Sequence, residues 1–101
     1  MLNFQNPVTA DQLEHMLPED LIDSVLSHCA SGKPMHPDAL MGLVIKLTYL
    51  SRDMRIGQNN RDRAAELATN LANAAIKSYG STSEFGRGLI NTVRQIVGQA
   101  A

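Results

Sequence analysis

Tryptophan is absent from this 101-residue chain, and aromatic residues make up only 4% of it. Any hydrophobic core must therefore be assembled from Leu, Ile, Val, Met and Ala. Cysteine occurs once, as Cys29, which excludes an internal disulfide and leaves packing as the source of stability. A reducing compartment such as the cytosol is the default for such a chain. Long apolar runs are missing too. The most apolar stretch, ALMGLVIKLTYL at 39–50, is interrupted by Lys46 and falls short of the roughly 20 residues that a membrane-spanning helix needs. No segment alternates apolar and polar residues as a half-buried strand does, and no repeat recurs at the period of a solenoid. The start, MLNFQNPVTADQ, has neither a basic region nor an apolar one, so no cleavable signal peptide is expected. The protein is expected to be cytoplasmic, or secreted without such a signal.

Hydrophobic residues account for 44% of the chain and charged residues for 19%, the composition of an ordinary globular protein. Disordered tails and low-complexity linkers are excluded. The length suits one compact helical domain over 1–101, with an acidic part at 1–32 and the remaining helices at 37–101. The net charge is only −1, so no bulk attraction to nucleic acid or to a membrane is expected. Its distribution is uneven. Residues 1–32 hold Asp11, Glu14, Glu19, Asp20 and Asp23 and no Lys or Arg, while all nine basic residues follow. The two parts either pack against each other or are two solvated faces of unlike charge.

Helix punctuation recurs along the chain. Thr9 and Gln12 form a capping-box pattern ahead of Leu13, Met16 and Leu17. Pro18, Glu19 and Asp20 open a second helix through Leu21, Ile22, Val25, Leu26 and Cys29, which Gly32 and Pro34 end. A third begins at Pro37–Asp38 and carries Leu40, Leu43, Val44, Leu47, Leu50, Ser51 and Met54 at helical spacing. Met41, Ile45 and Tyr49 occupy its other sides, which marks it as the central helix of a bundle. Gly57 interrupts it, with Asn59 or Asn60 capping a fourth helix and Asp62 in its first turn; an unbroken helix from 37 to about 78 is the alternative. Ala64, Leu67, Ala68, Leu71, Ala75 and Tyr79 then form a flat stripe that ends at Gly80. Ser81 with Glu84 matches another capping box. The last helix carries Phe85, Leu89, Ile90, Val93, Ile96 and Val97, and its Gly86, Gly88 and Gly98 make it the least secure. The expected fold is all-α, a small bundle of four or five helices.

Catalytic and metal chemistry find little to build on. His15, His28 and His36 lack zinc-ligand spacing, and a composite of His28, Cys29 and His36 competes with simple helix-end roles. Cys29 has no positioned base, and Glu19 with Asp23 reads as an acidic first turn. The run FGRG at 85–88 lacks the preceding strand of a phosphate loop. No enzyme activity, cofactor or metal is expected. Two binding readings remain. In one, the protein binds another protein or itself through Leu67, Leu71, Tyr79, Phe85, Ile90 and Val93, against the plainer reading that these fill its own core. In the other, the helices flanking 57–60 form a helix-turn-helix. Arg52, Arg55, Asn59, Asn60, Arg61 and Arg63 would then meet nucleic acid, although Asp53 and Asp62 lie inside the cluster.

The order of features from 38 to 79 resembles one known pattern. ALMGLVIKLTYL runs into SRDMRIGQNNRDRAAE, the alanine-rich LATNLANAAIKSY follows, and the chain closes on TVRQIVGQAA. This is similar to the filament and translocator subunits of bacterial type III secretion systems, in which a hydrophobic helix continues into a polar, coiled-coil-forming one. The resemblance implies an oligomerising, secretion-associated virulence protein of a bacterium and transfers no catalytic residue.

Overall fold

A computed structural model describes residues 4–80 and 83–99. It contains five helices: α1 (Ala10–Glu14), α2 (Pro18–Ser31), α3 (Pro37–Ser51), α4 (Gln58–Tyr79) and α5 (Glu84–Gln99). The described residues form no strand. The protein is an all-α bundle.

The helix ends follow local chemistry. At α1, Thr9 Oγ1 accepts from the Gln12 N–H at 3.2 Å and Gln12 Oε1 accepts from the Thr9 N–H at 2.9 Å, a complete capping box. Pro18 occupies the first position of α2, and Gly32 closes that helix at φ 71°, a conformation that favours glycine. His36 caps α3, its Nδ1 accepting from the Asp38 N–H at 3.1 Å. The Ser81 half of the box expected at α5 lies outside the described residues, as do the side chains of Ile96 and Val97.

The junction of α3 and α4 differs from expectation. The helix stops at Ser51, well before Gly57, so the unbroken alternative is excluded. Asp53 supplies the reason. Its Oδ1 accepts from the Arg55 backbone N–H at 2.9 Å, a local bond that competes with helix continuation. Met54 therefore leaves the apolar stripe and is 78% exposed. Gly57, in an extended conformation, is the N-cap of α4; Asn59 and Asn60 sit within the first turn, and no acid does. Asp62 falls in the second turn, where its Oδ1 accepts from Gln58 Nε2 at 2.7 Å.

One core joins all five helices, with Leu13, Leu21, Ile22, Val25, Leu71 and Leu89 among its members. The helix α3 contributes most, burying Ala39, Leu40, Leu43, Val44, Leu47, Thr48 and Leu50. It packs chiefly on α4, then on α5 and α1, while α2 leans on α4. The unlike charges of the two parts meet there: Arg63 Nη2 lies 3.0 Å from Asp23 Oδ1, and Asn60 Nδ2 donates to Glu19 Oε1 at 3.3 Å. The glycine-weakened α5 is held by tertiary contact through Leu89, Phe85 and Val93. One of its glycines is also required. A Cβ at Gly86 would collide with the carbonyl oxygen of Gly80, whereas one at Gly88 would meet nothing.

Candidate functional site

The side of α3 turned away from Val44 carries Gly42, Ile45, Lys46 and Tyr49, spaced i, i+3, i+4, i+7 on one helix face. With Val8, Leu13, Glu14, Leu50, Asp53 and Arg55 they line a groove of about 470 Å³. Its cause is a mismatch of lengths. The five residues of α1 span about 7 Å, while the fifteen of α3 span about 22 Å. Leu13 settles over Gly42, with its Cδ1 3.5 Å from where a glycine Cβ would be. Beyond that point Ile45 is half-buried and Tyr49 is 52% exposed. The groove thus has an apolar floor, one end closed by α1, and the other bounded by the 52–57 turn.

Its rim carries two charges of each sign, unequally engaged. Arg55 donates through Nε and Nη2 to the two carboxylate oxygens of Asp53, both at 2.9 Å. These side-chain bonds, joined by the backbone N–H of Arg55, hold the Asp53 carboxyl down from the ordinary 3.8 to about 2. The same pairing raises the Arg55 guanidinium. Glu14 and Lys46 form no salt bridge with any described residue. Lys46 is half-buried in the middle of the groove face.

The residues expected to bind a partner lie elsewhere. Leu67 and Leu71 are each 8% exposed and belong to the chain's own core, so they offer no surface. Phe85 and Val93 pack against that core, and Ile90 is half-buried. Only Tyr79 among the six is exposed, its ring tilted on Phe85 with centroids 4.8 Å apart. The alanine side of α4 does border a trough of about 320 Å³ with α3 and Val93, lined by Thr48, Ser51, Ala65, Thr69 and Ala72. The three hydroxyls in it donate to carbonyls of their own helices.

The arginine cluster is largely occupied within the chain. Arg55 is tied to Asp53 and Arg63 to Asp23. Arg61 donates to Gln58 Oε1 at 2.7 Å and to Met54 Sδ. Asn60 faces Glu19. Arg52 closes α3 and, with Asn59, is exposed. A helix-turn-helix surface would need these cations facing outward together, and bonds within the chain draw three of the four arginines inward or onto the turn. The histidines are equally dispersed: His15 Nδ1 meets Asp11 O, His28 Nε2 meets Pro34 O, and His36 caps α3. No three His, Cys, Asp or Glu side chains converge as metal ligands among the described residues. No helix of the described residues is long and apolar enough to cross a membrane.

No family model, curated protein or solved structure matches this chain. The site therefore rests on geometry alone. The apolar pattern puts Ile45 and Tyr49 on the far sides of a central helix, where burial is expected, and α1 is too short to provide it. A signal for this exists in the chain: the apolar stretch before Pro18 is much shorter than 39–50.

Proposed function

We propose that this protein is a non-catalytic helical interaction domain that binds another protein along the uncovered side of α3. The single observation that carries the reading is the groove at Gly42, Ile45, Lys46 and Tyr49, a largely apolar floor broken by Lys46 beside a half-exposed tyrosine. Tyrosine on such a surface supplies large contact area with few rotamers to freeze, which is why it recurs at binding hot spots. This moves the binding surface from the α4–α5 seam to α3 and keeps the mode of action.

A photo-crosslinking amino acid at position 49, introduced in the native host, tests it. The expected result is one adduct with a second polypeptide, whose purified form binds the wild type and protects amides 42–50 from exchange. Tyr49→Ala should weaken that binding and leave the circular dichroism unchanged. Equal binding to wild type and variant, or protection confined to α4 and α5, overturns the assignment.

A further inference from the structure

We infer that the occupant of the α3 groove is an amphipathic α-helix of another protein that places a carboxylate over Lys46 and a basic side chain beside Glu14. This rests on the reading of the groove as the binding surface and deepens it. Shape is the first ground. From Gly42 to Tyr49 the floor follows about 10 Å of α3, a length matched by two turns of a second helix. An extended peptide would arrive with unpaired backbone N–H and C=O groups, and the described residues present no strand edge to receive them. A helix satisfies its own backbone and needs only side-chain contact. Small-molecule sites enclose most of their ligand, whereas Tyr49 at 52% exposure leaves its end of this groove open.

Charge supplies the second ground. Of the four charges on the rim, Asp53 is bridged by Arg55 and is also drawn, more weakly, by Lys46. Lys46 and Glu14 are the two without an ion-pair partner among the described residues. Glu14 follows Leu13, which sits over Gly42, and Lys46 lies one turn further along α3. Both line the groove, so a helix laid in it meets an acid and a base. An acid and a base at i and i+3 or i+4 would face both. Such a partner carries apolar residues at i, i+3, i+4 and i+7 for Ile45 and Tyr49, with its charge pair beside that stripe.

A displayed library of helical peptides with that apolar stripe fixed tests the inference. Its two charge positions are varied among Glu, Gln and Lys, and it is selected on the full chain. Acid is expected over Lys46 and base beside Glu14. The selected peptide should lose about fivefold in affinity on Lys46→Gln. It should regain affinity when Lys46→Glu is matched with a peptide bearing lysine at the facing position. Selection without charge preference overturns the charge pairing. Peptides that bind Tyr49→Ala as well as wild type lie outside the groove, which overturns the inference and the reading beneath it together. A partner crosslinked at position 49 that docks as a loop overturns the helical occupant while the groove stands. Dimerisation of the chain itself, abolished by Tyr49→Ala in sedimentation, replaces the helical partner with a second copy.

Discussion

The two sides of α3 have similar amino acids and opposite fates. On the side facing α4 and α5, Leu43, Val44 and Leu47 are fully buried. On the other, Ile45 is half-covered and Tyr49 stands open, because among the described residues the five-residue α1, with Val8 ahead of it, is too short to cover both. Apolarity states what a helix face can bury. The length of the neighbour decides whether it is buried within the chain. A face that is apolar yet open is what a partner requires, and α3 carries one such face and one sealed one.

The sharpest way to break this contrast is a truncation on each side. Leu47→Ala removes a fully buried side chain and should cost about 2–5 kcal/mol of unfolding free energy. Ile45→Ala on the open side should cost well under half of that, since less of its surface leaves water on folding. Urea denaturation measures both. Equal losses would mean that both sides are sealed, and the groove would lose its meaning as a site.

The next largest effect concerns what seals the closed side. The seat of α5 depends on Gly86 passing close to the Gly80 carbonyl, so Gly86→Ala should destabilise by about 1–3 kcal/mol. Gly88→Ala, in open space on the same helix, should stabilise by about 0.5–1 kcal/mol through helix propensity. Opposite shifts in melting temperature for two identical substitutions two residues apart would confirm that packing, not propensity, places α5. Shifts of one sign would refute it.

Much of this architecture is legible in the amino-acid sequence. Thr9 with Gln12, Pro18, Gly32, Pro37 and Gly80 mark helix ends by chemistry confined to a few neighbouring residues, and each acts as read. The stripe Ala64–Leu67–Ala68–Leu71–Ala75 is buried as its spacing requires, but its last member, Tyr79, is 42% exposed. Failures begin where two local signals compete. Met54 continues the apolar period of α3, yet the bond from Asp53 to the Arg55 N–H ends the helix first. Asn59 and Asn60 are good caps, but the chain turns at Gly57 before reaching them. The candidate site is the least legible of all. The pattern shows that Ile45 and Tyr49 are apolar and outward of the Leu43 side, and cannot show how far along α3 the short α1 extends.

A smaller effect separates folding from binding on the open side. Tyr49→Ala should change stability by less than about 0.5–1 kcal/mol, since the ring is 52% exposed, and yet should remove most of the partner affinity. The comparison needs calorimetric unfolding and a binding titration on one preparation. A large stability loss with unchanged binding would make Tyr49 a packing residue.

The smallest expected effect lies at the end of the groove, where the Asp53–Arg55 pair bounds it. The Asp53 carboxyl titrates at about 2 in the folded protein against an ordinary 3.8, so the native state binds fewer protons than the unfolded chain between those values. The contribution is therefore complete above about pH 4 and is lost as the pH falls through about 2. Other carboxylates titrate in the same window, so the signal is the difference between wild type and Asp53→Asn, followed by urea unfolding across it. That difference should shrink on acidification and should also shrink with added salt, because Arg55 is 88% exposed and screened by solvent. Arg55→Ala should remove most of the salt-dependent part, leaving the weaker attraction of Lys46. The Asp53 bond to the backbone N–H at 55 survives that change and still ends α3 at Ser51. A wild-type difference that stays flat from about pH 4.5 to about 2 would show that the turn bounds the open side without the ion pair. The rim would then carry Arg55 as a free cation beside Lys46, and the partner helix would need a second acid.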